Sequence, residues 1–152
     1  MFIHTICKCL ESANIEYAVV GGYAVSLHGF ARSTVDVDIV LHWTLDNLKK
    51  VETSFKKIGL ISQVPITAEL LFQFRDEYIQ NRNFIAWNFY NPKKPLEQVD
   101  IIINYDLKKG HTKTIHTASG NIKILSVKDL ISMKKASGRP QDLEDIKFLE
   151  TL

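Results

Sequence analysis

The sequence predicts an α/β protein of the mixed α+β kind: a mixed β-sheet with three central strands, flanked by helices, with a C-terminal helical pair. Three runs carry that expectation. Glu16 to Val20 is short and β-rich, breaks at Gly21-Gly22, and continues into a helical stretch from Tyr23 to His28. Ser33 to Leu41 alternates Val35, Val37 and Ile39 with Asp36 and Asp38, so the apolar side chains face the core and the two acids share the other face. Gln98 to Asn104 is β-branched and almost wholly apolar apart from Asp100, as suits a central strand.

The other elements follow in chain order. Phe2 to Ala13 repeats apolar residues at Phe2, Ile3, Ile6 and Leu10, one face of a helix that Asn14 ends. Gly29 closes the helix after the glycine pair. Thr44 caps a helix through Ile58 whose Leu45, Leu48, Val51 and Phe55 share a face and which Gly59 terminates. Leu60 to Val64 and Phe84 to Tyr90 read as extended, whereas Ala68 to Tyr78 is either a short helix or part of a variable insertion. Thr112 to Thr117 and Asn121 to Leu125, parted by Ala118-Ser119-Gly120, make a hairpin. Ser126 caps a helix to Ser137, Gly138-Arg139-Pro140 breaks it, and Gln141 to Leu149 forms the last helix. With no repeat, low-complexity tract or linker, residues 1–152 read as one domain, with 126–152 a helical tail packed on the core.

Composition narrows the class. With 45% hydrophobic and 24% charged residues the chain is an ordinary globular protein, not a disordered or fibrous one. A net charge of +2 selects no partner. The pairs Lys49-Lys50, Lys56-Lys57, Lys93-Lys94, Lys108-Lys109 and Lys134-Lys135 are either solvated surface or, if the fold gathers them, a basic face. Cys7 and Cys9, two apart on a helix, diverge, so neither a disulfide nor a CxxC zinc site is expected and a reducing cytosol is the natural compartment. No apolar run approaches the roughly 20 residues of a membrane span, and the start lacks a basic region followed by an apolar one. A cytoplasmic protein without a membrane partner is expected.

The chemistry centres on the acids. Gly22 stands where a strand passes into a helix, and its bare backbone N–H groups suit a phosphate, although a tight turn needs the same residue. Thirteen residues separate it from Asp36, and Asp36 with Asp38 offers two hard oxygen donors to one cleft, a set that suits Mg²⁺ or Mn²⁺. An exposed strand face or salt bridges with Arg32 are the plainer readings of those two acids. Asp100 alone reads as a strand-edge acid, yet a carboxylate inside Val99-Asp-Ile-Ile-Ile103 needs compensation. If its strand lies beside the Asp36/Asp38 strand, three carboxylates converge, two to hold metal and the third to orient or deprotonate an attacking hydroxyl. His28 and His42 read as hydrogen-bonded or solvated histidines, and Trp43, Phe84, Trp87, Phe89 and Tyr90 as core. No HExxH, Cys-His or Ser-His-Asp arrangement supports zinc hydrolysis or acyl transfer.

Gly21-Gly22, the thirteen-residue spacer, Asp36-Val-Asp38-Ile and a later strand acid together resemble the signature of the DNA polymerase beta-like nucleotidyltransferase superfamily. The stretch Gly29-Phe-Ala-Arg-Ser-Thr-Val-Asp-Val-Asp38 is similar to that of minimal nucleotidyltransferases, those related to AbiEii-type toxins included. So is the tail Asp129-Leu-Ile-Ser-Met-Lys-Lys-Ala-Ser-Gly-Arg-Pro-Gln-Asp-Leu-Glu-Asp145. The resemblance leaves about residues 60–95 unmatched. It implies a nucleotidyltransferase fold in which Asp36 and Asp38 ligate two Mg²⁺ (or Mn²⁺) ions with Asp100 as third carboxylate. Gly21 and Gly22 would hold the triphosphate of an NTP such as ATP. Arg32 and Thr34 would contact its γ-phosphate or brace the loop, a loop salt bridge and a strand-starting threonine being the alternatives. Lys134 and Arg139 would reach phosphate, while Asp142 and Asp145 cap and solvate the last helix. The implied reaction places a nucleoside monophosphate on a hydroxyl of an RNA end, a protein or a small molecule, with pyrophosphate released. Two other readings stand beside it: a non-catalytic, nucleotide-binding member of a toxin-antitoxin-like pair that works through a protein partner, and a phosphate-binding structural protein.

Overall fold

The computed structural model describes residues 1–30 and 36–152. Its elements run α1 (Phe2–Ser12), β1 (Tyr17–Val20), α2 (Gly21–Leu27), β2 (Val37–Leu41), α3 (Leu45–Lys57), β3 (Ile61–Ser62), α4 (Ala68–Gln73), α5 (Arg75–Arg82), β4 (Ala86–Asn91), β5 (Lys94–Ile102), β6 (Thr112–Thr117), β7 (Gly120–Leu125), α6 (Val127–Ser137) and α7 (Pro140–Leu149). One 3₁₀ turn, Leu107–Lys109, follows β5.

The sheet is mixed and seven-stranded, in the order β3-β4-β5-β2-β1-β7-β6. The three foreseen strands are its contiguous centre: β1 runs antiparallel to β2, and β2 parallel to β5. The hairpin β6/β7 adds on at one side through a parallel β1–β7 contact, and β3 and β4 add on at the other. Their half-exposed patterns disguise them as loose extended segments. The segment from residue 68 to 82 is a pair of helices, not an irregular insertion; Thr67 caps the first by accepting from the Leu70 N–H. β5 starts at Lys94, earlier than its apolar run, because Lys94 pairs with Asn91 across a tight turn.

Register explains the core. Val37, Val99 and Phe89 lie side by side across β2, β5 and β4, as do Ile39, Ile101 and Trp87, all no more than 3% exposed. The ring of Phe55, on α3, meets Phe89 edge-on at 5.1 Å, so α3 covers this face with Leu48 and Val51. Side chains alternate along a strand, so Asp38, Asp100 and Asn88, one position over on the three strands, project from the opposite face.

The tail is fastened by charge as well as packing. Lys134 on α6, 6% exposed, places its Nζ 2.8 Å from Asp145 Oδ2 and 3.7 Å from Asp142 Oδ1 on α7. Asp142 does cap α7, accepting from the Arg139 N–H at 3.0 Å. The expectation that Asp142 and Asp145 are solvated is overturned: they are 1% and 0% exposed, a burial that the Lys134 ammonium makes tolerable. At the far end of α7 the Phe148 ring stacks on Phe30 at 4.8 Å, tying the tail to the segment after α2.

Candidate active site

The site begins where β1 ends. Val20 lies opposite Asp38 on the antiparallel ladder, so the chain turns into α2 directly beside that carboxylate. Gly21 takes a left-handed φ of +66°, and a Cβ there would overlap Asp38 Oδ2, so backbone conformation and space both demand glycine. Gly22 follows, buried, in the first turn of α2, where backbone N–H groups have no partner within the helix.

Asp38 and Asp100 are register partners on adjacent parallel strands, and their carboxyls lie within hydrogen-bonding reach of each other. Burial, then the charges of Asp100 and Asp36, then the bond to Asp100 push the Asp38 carboxyl up to about 7, with Arg139 pulling the other way. Asp36 stands exposed just before β2, close enough for its charge to be felt at Asp38. Of the three carboxylates expected to converge, Asp38 and Asp100 are in contact and Asp36 stands exposed at the rim. Among the described residues no group of three or more His, Cys, Asp or Glu side chains is drawn together as a metal cluster. The donor chemistry still fits a hard divalent cation: two adjacent carboxylates, one already resisting ionisation for want of a counter-charge, plus a third within electrostatic range.

Of the phosphate candidates, Arg139 is the one whose charge reaches the acids. Its side chain is 73% exposed, while Nε and Nη2 grip both Asp142 oxygens at 2.9 and 3.2 Å. Lys134 is committed to Asp145 and Asp142 and braces the tail. Arg32 and Thr34 lie outside the described residues. His28 Nε2 pairs with the Leu125 carbonyl at 3.1 Å. Trp87 and Phe89 are core, whereas Trp43 carries the Arg75 guanidinium 4.5 Å from its ring centre.

Sequence reasoning overlooked Asn88 and Gln98. Asn88 Nδ2 donates to Asp100 Oδ1 at 2.8 Å and, at 3.3 Å, to Gln98 Oε1. The signal was an amide between Trp87 and Phe89 in a strand, which by alternation had to face away from the core.

A half-buried acid pair on neighbouring parallel strands stands beside a glycine turn, on a mixed sheet flanked by helices, the fold of the nucleotidyltransferase structures it superposes on. No protein-family model matches the sequence, and no curated protein matches it. Solved structures do. An antigenic nucleotidyltransferase-like protein from Paracoccidioides brasiliensis superposes with a TM-score of 0.60 at 21% identity, covering 97% of this chain and 72% of that one. The lincosamide antibiotic adenylyltransferase LnuA, bound to lincomycin, gives 0.63 at 16%, covering 98% and 94%. ANT(2'')-Ia in complex with adenylyl-2''-tobramycin gives 0.63 at 13%, covering 98% and 86%. At these identities the likeness is one of fold.

Proposed function

We propose that the chain is a Mg²⁺-dependent nucleotidyltransferase that moves a nucleoside monophosphate from an NTP to an acceptor hydroxyl and releases pyrophosphate. The observation that carries this reading is the pairing of Asp38 with Asp100 beside a turn that excludes any side chain. Asp36, Asp38 and Asp100 hold the metal, Mg²⁺ or Mn²⁺, which supplies neutralisation of phosphate charge as it builds toward the leaving group.

The chain's own groups do the rest. The N–H groups at Gly21 and Gly22 hold the triphosphate, with Arg139 as the exposed cation near the acids. The acceptor O–H gives its proton to Asp100 as its oxygen bonds the α-phosphorus; the bond from that phosphorus to the bridging oxygen breaks, and the electron pair leaves with pyrophosphate. Adenylyltransferases bound to lincomycin and to an adenylylated tobramycin, among proteins of the same fold, support ATP as donor and a small hydroxyl-bearing molecule as acceptor.

The test is pyrophosphate release from each of the four NTPs with Mg²⁺ and a cell lysate as acceptor pool. Release is expected from the wild type and not from the Asp36→Asn/Asp38→Asn double variant. Equal release from both would remove the acids from the chemistry.

A further inference from the structure

We infer that Asn88 is a positioning residue that fixes the Asp100 carboxylate toward the acceptor hydroxyl; the inference rests on the nucleotidyl-transfer reading of the site. Asn88, Asp100 and Asp38 form one row across β4, β5 and β2, on the face opposite the apolar rows. In-line displacement puts the attacking oxygen on the far side of the phosphorus from the leaving pyrophosphate. The glycine turn lies on the β1 side of Asp38, so the acceptor comes in from the β5–β4 side, where Asn88 stands next to the proposed base.

The orientation of this amide is forced. Gln98 Nε2 donates to the Pro95 carbonyl at 3.0 Å, which leaves Gln98 Oε1 facing Asn88. Asn88 therefore presents its NH₂ group, with one bond to Gln98 and one to Asp100 Oδ1. Its own Oδ1 is left shielded from solvent with no hydrogen-bond partner among the described residues. Rotating the amide would set oxygen against two acceptors, Gln98 Oε1 and Asp100 Oδ1. The side chain thus forgoes a bond of its own in order to hold Asp100, which is pinned from one side by Asn88 and from the other by Asp38.

Asn88→Leu keeps the volume and removes both the donor and the orphaned oxygen. Cooperative thermal unfolding of the metal-free variant, at a temperature modestly below the wild type because Asp100 Oδ1 and Gln98 Oε1 lose their donor, is expected and shows that it folds. Its kcat for pyrophosphate release should fall on the order of 100-fold with KM for the NTP nearly unchanged, because a misplaced base slows chemistry without loosening the nucleotide. Gln98→Leu, which frees the amide to rotate, should give a smaller loss of the same kind. Wild-type turnover undiminished in Asn88→Leu, or a loss confined to NTP KM, would overturn the positioning role alone. Absence of release from the wild type would overturn the nucleotidyl-transfer reading and this role with it.

Discussion

At the scale of single residues the site is held against its own stability. Asp38 is half-buried beside two other acids, and its carboxyl, pushed up to about 7, stands above the ordinary 3.8. The folded chain therefore binds this proton more tightly than the unfolded one. Its stability contribution is complete below about pH 4 and is lost as pH rises to 7, roughly 4 kcal/mol by pH 8. Asp38→Asn should accordingly melt several degrees higher than wild type at pH 8 without metal, with the gap closing toward pH 4, while losing transfer. A variant that melts lower at both pH values would mean the carboxylate is not strained. Gly21→Ala is expected to lose both stability and turnover, since its Cβ would strike Asp38 and φ would have to leave +66°. These residues were readable from sequence because chemistry limits what can stand there: only glycine tolerates that turn, and acids in β-branched strands demand a reason. Asn88 was not readable, because its partner sits across a strand pairing that only the register defines.

At the scale of elements, the α6–α7 tail shows one residue's role rewritten by packing. In sequence Lys134 is an ordinary basic residue on a helix, open to phosphate; in the fold it is the counter-charge that lets two α7 acids be buried. Lys134→Met should destabilise by roughly 3–5 kcal/mol, because it takes the ammonium away from two buried carboxylates. Chemical denaturation would measure it, and a loss under about 1 kcal/mol would show that the triad is solvated after all. Burial raises the Asp142 carboxyl, but bonds from Arg139 and Ser137 outweigh it and bring it down to about 2. That lowering contributes stability above about pH 4, which drains away as pH falls toward 2. Asp142→Asn should therefore differ from wild type at pH 7 and converge with it in strong acid. The helices and the hairpin were legible in the sequence because caps and terminators are local: Thr44, Ser126, Gly59 and Gly138 stand at the expected ends. β3 and β4 were legible as the extended runs Leu60 to Val64 and Phe84 to Tyr90, but not their place in the sheet, which is set by pairing with each other and with β5.

At the scale of the molecule, the sheet order sets the functional groups in sequence along one face. Reading β4-β5-β2-β1, these are the amide of Asn88, the acids Asp100 and Asp38, and the turn at Gly21. Parallel pairing of β2 with β5 is the decisive contact, because a one-residue slip would turn Asp100 into the core and Val99 or Ile101 out to the cleft. The tail closes the other side, with Phe148 on Phe30 and the Arg139 charge directed at Asp38. The acids therefore meet only in the folded chain, and whatever they bind adds to folding stability. Mg²⁺ together with a non-hydrolysable NTP analogue should raise the melting temperature by mass action, by about 2.7 kcal/mol at a hundredfold excess over Kd. Either component alone should do less, since the phosphates complete the metal's oxygen shell and the metal neutralises the phosphates. In Asp38→Asn the ligand-induced rise should vanish even though the ligand-free variant is the more stable at pH 8. An equal rise in that variant would place nucleotide and metal elsewhere on the fold.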